Sequence, residues 1–339
     1  MRCRALAFVG VVAAAISVVL LLPVAVAAQT ATPPLTPWGA PDLQGVWDFR
    51  TLTPLQRPAE LGGKEVFTAE EAAQFEASRL EEIADRDISV PADIVGNYNQ
   101  FWFDRGSAVV GTRRTSLIVD PSDGRLPPLT PEAQQKASSA EARRIAAASR
   151  GNLPAYSWED LDPGDRCIQH GKAGPPINPG GYNNNIQVFQ TQGYVAILNE
   201  QIHDTRIIPL DGRPHLGPEL RQWMGNSRGR WEGRTLVVET INFNGRHEQV
   251  ARPLLNSAEH LTLVERFTRL DADTLVYEYT VNDPTIWVKP WTVQLPMKRN
   301  PDRLYEYACH EGNYSMEVRL KGARAMDKAA AEAARKGSK

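Results

Sequence analysis

The sequence predicts a mostly β chain: an antiparallel β-barrel or β-sandwich of about eight strands, with two helices contributed by its N-terminal third. Three observations predict this class. From Gly180 onward the hydrophobic pattern changes from a helical period to a period of two. Glu232-Gly233 and Asp271-Ala272-Asp273 read as hairpin turns, which make consecutive strands antiparallel neighbours. In TLVYEYTV, Leu275, Tyr277, Tyr279 and Val281 alternate with Val276, Glu278 and Thr280, so one face is buried and the other is polar or lines a cavity.

The elements follow in chain order. Met1-Arg2-Cys3-Arg4, an apolar run from Ala5 to Leu22 and the small-residue exit Val24 to Ala28 form a secretory signal peptide over 1–28. After its cleavage no stable membrane anchor is expected, since no later apolar run is long enough to span a bilayer. The chain is therefore expected to be secreted, into the periplasm. Residues 29–45, with four prolines, read as an extended arm. A single mostly-β domain then runs over 46–323, and Val46 to Phe49 is its first strand. Helices are placed near 69–86, where Thr68 and Glu71 have capping-box spacing, and near 131–149, where Thr130 caps and Pro131 opens the helix. Thr115 to Val119 reads as a strand ending in the turn that begins at Asp120-Pro121. The β-rich runs after Gly180 end with LYEYACHEGNYSMEVRL, read as the last strand, and 324–339 forms a charged tail.

Two resemblances bear on this reading. Gly45-Val46-Trp47 is similar to the Gly-x-Trp signature of lipocalin-like barrels, which favours a barrel over a sandwich. The mature chain as a whole resembles a group of secreted bacterial proteins carrying PDLQGVWDFRT, GGYNNNIQ, NEQIHDTRIIPLDGRPH, RGRWEGRTLVVET and YEYACHEGNY. That second resemblance marks a family and implies no reaction.

Composition and absent motifs narrow the function. The net charge is −2, without a concentrated basic face, so no nucleic-acid partner is expected. No phosphate-cradling glycine loop, Gly-x-Ser-x-Gly elbow, His-Glu-x-x-His or Cys-x-x-Cys-His is present. Cys3 leaves with the signal peptide, so Cys167 and Cys309 are expected to pair in an oxidising compartment. If they do, His170 and His310 share a neighbourhood, where Glu311 or Asp165 can orient an imidazole for proton transfer. The same ligand types suit a divalent metal, although no metal or other cofactor is required. Strand-end capping explains these histidines equally well.

Further candidates surround this pair. In the strand around His203, alternation puts His203 and Thr205 on one face and Asp204 and Arg206 on the other, where Asp204 and Arg206 read as an ion pair. Tyr182, Asn183, Asn184 and Asn185 offer a hydrogen-bonding wall, though a structural turn also accounts for at least one of the asparagines. Among the aromatics, Phe101 and Trp47 read as core, and Trp102 and Trp223 as pocket walls.

The leading expectation is a secreted, cofactor-independent acid-base enzyme, a lyase, isomerase or hydrolase acting on a small hydroxylated or aromatic molecule. His310 and His203 would carry protons, Glu311 and Asp204 would orient them, and Arg206 would stabilise an anion. The alternatives are a non-catalytic lipocalin-like carrier of a small apolar or aromatic ligand, and an envelope interaction module.

Overall fold

A computed structural model describes residues 33–88, 103–139, 157–161, 163–169, 174–202, 204–245 and 260–337. The expected signal peptide, Phe101, Trp102, His170, His203 and the second half of the helix expected at 131–149 lie outside these residues. The described chain falls in one unit, Ala31–Lys339.

Its centre is an antiparallel sheet of ten strands: β1 (Gly45–Asp48), β2 (Ile118–Asp120), β3 (Asn185–Gln190), β4 (Tyr194–Asn199), β5 (Thr205–Pro209), β6 (Asn226–Glu232), β7 (Thr235–Ile241), β8 (Thr262–Arg269), β9 (Thr274–Asn282) and β10 (Trp291–Asn300). The order across the sheet is β5-β4-β3-β1-β10-β9-β8-β7-β6, with short β2 also pairing β10. The mostly β class and both expected hairpins stand: Glu232 pairs with Thr235, and Arg269 with Leu275.

Period-two alternation decides what faces inward. Leu263, Glu265, Phe267 and Arg269 of β8 share the buried face with Leu275, Tyr277, Tyr279 and Val281 of β9, and with Trp291, Val293, Leu295 and Met297 of β10. The edge strands β5 and β6 also approach each other. A Cβ on Gly229 of β6 would lie 2.9 Å from Ile208 of β5 and 2.6 Å from Leu210, so only glycine lets that seam close up. Among the described residues no ladder joins β5 to β6, and the sheet is folded on itself without hydrogen-bonded closure.

The interior is not wholly apolar. Arg206 on β5 reaches Glu265 on β8, donating from Nη2 to Oε1 at 2.9 Å and from Nη1 to Oε2. Tyr277 on β9 donates to the same Oε1 at 2.8 Å and accepts from the Ile177 amide at 3.0 Å. Tyr279 donates to Asn178 Oδ1 at 2.7 Å, so two tyrosines hold the segment preceding β3 against the inner face.

The Gly-x-Trp stretch has a packing explanation. Trp47 is fully buried, donates to the Leu43 carbonyl at 2.9 Å, and has the guanidinium carbons of Arg269 and Arg299 at 5.3 and 5.6 Å from its ring centroid. Gly45 has a φ of +132°, and a Cβ there would stand 2.7 Å from the Arg299 guanidinium. The positive φ requires glycine, while the Arg299 guanidinium is the flexible end of its side chain.

Helix entry follows the capping residues. The first helix, Ala69–Ile88, begins with Thr68 accepting from the Glu71 amide at 3.2 Å while Glu71 accepts from the Thr68 amide at 2.8 Å. Residues 131–139 are helical, with Thr130 Oγ1 accepting from the Ala133 amide at 3.2 Å.

Two expectations are corrected. LYEYACHEGNYSMEVRL is not a strand: 301–314 is irregular and Ser315–Gly337 is a helix, which absorbs most of the expected tail. Both edges of β10 are already taken by β1, β2 and β9, and Asn313 Oδ1 caps the turn by accepting from the Ser315 amide at 3.1 Å. The proline-rich arm is not extended either. Thr36 and Ala40 close a loop in which Leu35 bridges Pro41, and Gln190 fastens it by bonding the Leu43 amide and the Pro41 carbonyl, each at 2.9 Å.

Cys167 and Cys309 form a disulfide. With a sequence separation of 142, this closure constrains the unfolded chain by about 5 kcal/mol in the loop-entropy model. Replacing both cysteines by serine should lower the unfolding free energy by up to that amount in guanidinium titrations.

Arg206→Met should cost about 3–5 kcal/mol, because it strands the Glu265 carboxylate in the interior. The double variant Arg206→Met/Glu265→Leu should recover most of the loss. Urea unfolding of the single and double variants checks both expectations.

Candidate functional site

A candidate open site lies where β1 ends. A cleft of about 650 Å³ is lined by Asp48, Arg50, Phe103, Asp104, Arg105 and Lys298, with backbone from Gly106 to Gly111. That volume suits a small molecule. Arg50 bridges its two carboxylates, donating to Asp48 Oδ2 at 2.8 Å and to Asp104 at 2.6 and 2.7 Å. These hydrogen bonds, Asp48's first and Asp104's next, hold the Arg50 guanidinium above its ordinary value. Arg105 lies over the Phe103 ring, its guanidinium carbon 3.9 Å from the centroid.

The GGYNNN turn builds the adjoining wall. The Asp104 amide donates to the Gly181 carbonyl at 2.7 Å, and Asn184 Nδ2 donates to the Asp104 carbonyl at 2.8 Å. A Cβ on Gly181 would stand 2.8 Å from the Phe103 ring, so the close approach needs glycine. Tyr182 packs beside Phe103 with ring centroids 6.3 Å apart. Two stretches separated by eighty residues in sequence thus converge, and a second cleft of about 400 Å³ shares Arg105 with the first.

The asparagines serve the fold more than the cleft. Asn183 takes a φ of +53°, a turn role. Asn184 is buried and also accepts from the Gly180 amide at 2.7 Å. Asn185 donates to Glu200 at 2.9 Å and accepts from Asn300 at 3.0 Å.

Of the expected proton carriers, His203 lies outside the described residues and His310 is placed elsewhere. His310 and Glu311 are exposed in the turn after Cys309 and do not line the cleft. Asp165, expected to orient an imidazole there, pairs with Arg319 of the C-terminal helix. Arg206 is buried with Glu265 as its ionic partner, which corrects the expected pairing with Asp204. The reason is register: alternation turns Arg206 and Ile208 inward, and the interior acid opposite is on β8. Burial pulls the Arg206 guanidinium down, but the Glu265 charge and hydrogen bonds outweigh it and leave it above its ordinary value. An anion-stabilising Arg206 therefore already has its anion. Trp223 stands near Arg166, 5.9 Å from that guanidinium to the ring centroid, and Trp158 is on the same cation at 5.3 Å.

Several residues escaped sequence reasoning. Asp104 and Arg105 follow the aromatic run directly, and Asp48 and Arg50 sit two apart at a strand end; those spacings were the available signal. Another is His215. Asn226 Oδ1 accepts from the Leu216 amide at 3.0 Å, so the atom facing His215 Nδ1 at 3.2 Å is an oxygen and Nδ1 carries hydrogen. Its Nε2 meets Glu239 Oε1 at 3.1 Å. With both nitrogens engaged, His215 fastens the loop after β5 to the β6–β7 hairpin.

Among the described residues, no group of three or more His, Cys, Asp or Glu is arranged to hold a metal ion. Nor is any described helix long and apolar enough to cross a membrane. No protein-family model, curated protein or solved structure matches the chain.

Burial, reinforced by Glu265, pushes the Tyr277 phenol well above its usual value, and burial also raises Tyr279. Both are neutral when folded, whereas an unfolded tyrosine ionises near pH ~10. The stabilisation is complete below that pH and is lost as pH rises towards the folded values, since the unfolded chain then binds fewer protons. Urea midpoints should fall above about pH 10, less steeply in Tyr279→Phe, and absorbance at 295 nm should show these phenols ionising only on unfolding.

Proposed function

We propose that the protein binds a small hydroxylated or aromatic acid in the cleft beside β1 and acts as a carrier. The observation that carries this reading is the Arg105 guanidinium lying on the Phe103 ring at a cleft of small-molecule size. Three cations, Arg50, Arg105 and Lys298, face two carboxylates, Asp48 and Asp104, so the lining side chains favour an anion. A planar or sugar ring can stack on the aromatic wall. The exposed positions of His310 and Glu311 support a carrier over the expected proton-transfer site. The cleft itself supports ligand binding over a purely structural envelope module. The Cys167–Cys309 disulfide supports an oxidising compartment such as the periplasm.

An acid-base enzyme of lyase, isomerase or hydrolase type is the second reading. What favours it is Asp104, whose side chain is 60 % exposed within the same cleft while Arg50 fixes its orientation.

Isothermal titration with mandelate, benzoate and gluconate tests the site. At least one should bind, and Phe103→Ala or Arg105→Gln should weaken it by ten-fold or more. Binding by none of the three, or binding indifferent to both substitutions, removes the proposal. Proton NMR of the bound acid over hours separates the two readings: a carrier returns it unchanged, whereas conversion abolished by Asp104→Asn identifies an enzyme.

A further inference from the structure

The cleft does not end at Lys298. A second groove of about 490 Å³ runs over the outer face of β8, β9 and β10, and its lining shares Gly111, Thr274 and Pro296 with the first. Strand register shows how the floor is built. Thr268, Val276 and Pro296 stand directly across from one another in one outward row. In the adjacent row Thr274 faces Lys298, which in turn faces Asp48. The groove is thus apolar along the row of Val276 and Pro296, with Leu270 exposed at its side, and becomes charged one row later at Lys298. An outward sheet face normally carries polar residues, and two of the three in this row, Val276 and Pro296, are apolar.

Resting on the small-acid reading, we infer that the two clefts form one trough for an amphiphilic acid. Its carboxylate lies at the Lys298 and Arg105 end, and its alkyl chain lies along Val276, Pro296 and Leu270. Charge complementarity selects the occupant: Arg50, Arg105 and Lys298 outnumber Asp48 and Asp104 at one end, while at the far end Arg266 bonds Glu232 at 3.0 Å and stands directly across from Glu278. An apolar chain ending in an anion satisfies both halves. A hydrophilic acid wets the apolar row, and a cationic amphiphile sets its charge against Lys298.

Gly111 is the test position, because it borders both clefts and its side-chain space is open. Apart from its chain neighbours, nothing stands within 4 Å of where its Cβ would be. A larger side chain there occupies the junction without displacing the fold. The floor supplies an independent variant, Val276→Asn, which places an amide on the apolar row.

Isothermal titration should compare octanoate, butanoate and octyltrimethylammonium on the full mature chain. Octanoate carries four more methylenes than butanoate, each a factor of about four when fully buried. In an open trough it should bind at least ten-fold tighter than both other probes. Gly111→Leu and Val276→Asn should each reduce the octanoate-to-butanoate ratio towards one. Equal affinity for the two acids, or a ratio untouched by both substitutions, overturns the trough and leaves the small-acid site standing. Octyltrimethylammonium binding as tightly as octanoate overturns the placement of the acid head. If octanoate and butanoate fail to bind while mandelate, benzoate or gluconate binds, the trough alone falls; if none of the five acids binds, the small-acid reading falls and the trough with it.

Discussion

The ion pair between Arg206 and Glu265 is the constraint on which the rest of the structure depends. It joins β5, at one end of the hydrogen-bonded order, to β8, the third strand from the other end, so it spans the interior rather than the ladder. Both side chains are buried, and taking two charges out of water is repaid only where the geometry is good and the remaining valences are filled. Two parallel guanidinium bonds do part of this, and Tyr277 fills another Glu265 valence. The same phenol oxygen then accepts from the Ile177 amide, so the segment before β3 is set by a chain of bonds that begins with a charge pair.

That chain leads to the cleft. Asn178, held by Tyr279, is followed two residues later by the glycine pair whose second member contacts Phe103. Asp104, bonded to the Gly181 carbonyl, is then within reach of Arg50 just beyond β1. The exposed ion pairs at the cleft contribute little to stability by themselves. Their effect is to orient Asp48, Arg50 and Asp104, whose positions are inherited from the buried network several bonds away.

Legibility in the sequence divided along similar lines. Hairpins, alternation and both helix caps depend on neighbours within a few residues, so TLVYEYTV, Glu232-Gly233 and Thr68/Glu71 announced their structures. The pairing of Cys167 with Cys309 was legible by elimination. Arg206 was singled out correctly as an inward charge, but its partner was not: alternation reports a face, and Glu265 lies fifty-nine residues away on that face. The tyrosine-rich LYEYACHEGNY shows the opposite failure. Its composition suits a strand, yet β10 has no free edge to accept one, and availability of an edge is a property of the assembled sheet.

The same distinction explains why the expected catalytic set and the observed cleft differ. His310 and Glu311 attracted attention because acid and base are adjacent in sequence, but adjacency in an exposed turn brings neither to the cleft. Enclosure comes from segments that pack together, and the cleft is enclosed by residues from β1, from 103–111 and from β10. Of the predicted wall, Tyr182 reaches that region because Gly181 permits the approach of Phe103. A glycine, which carries no chemistry, therefore decided more about the site than the histidines did. Small residues at crossing points are where a search for function in such a chain gains most, since they mark the places where distant segments must touch.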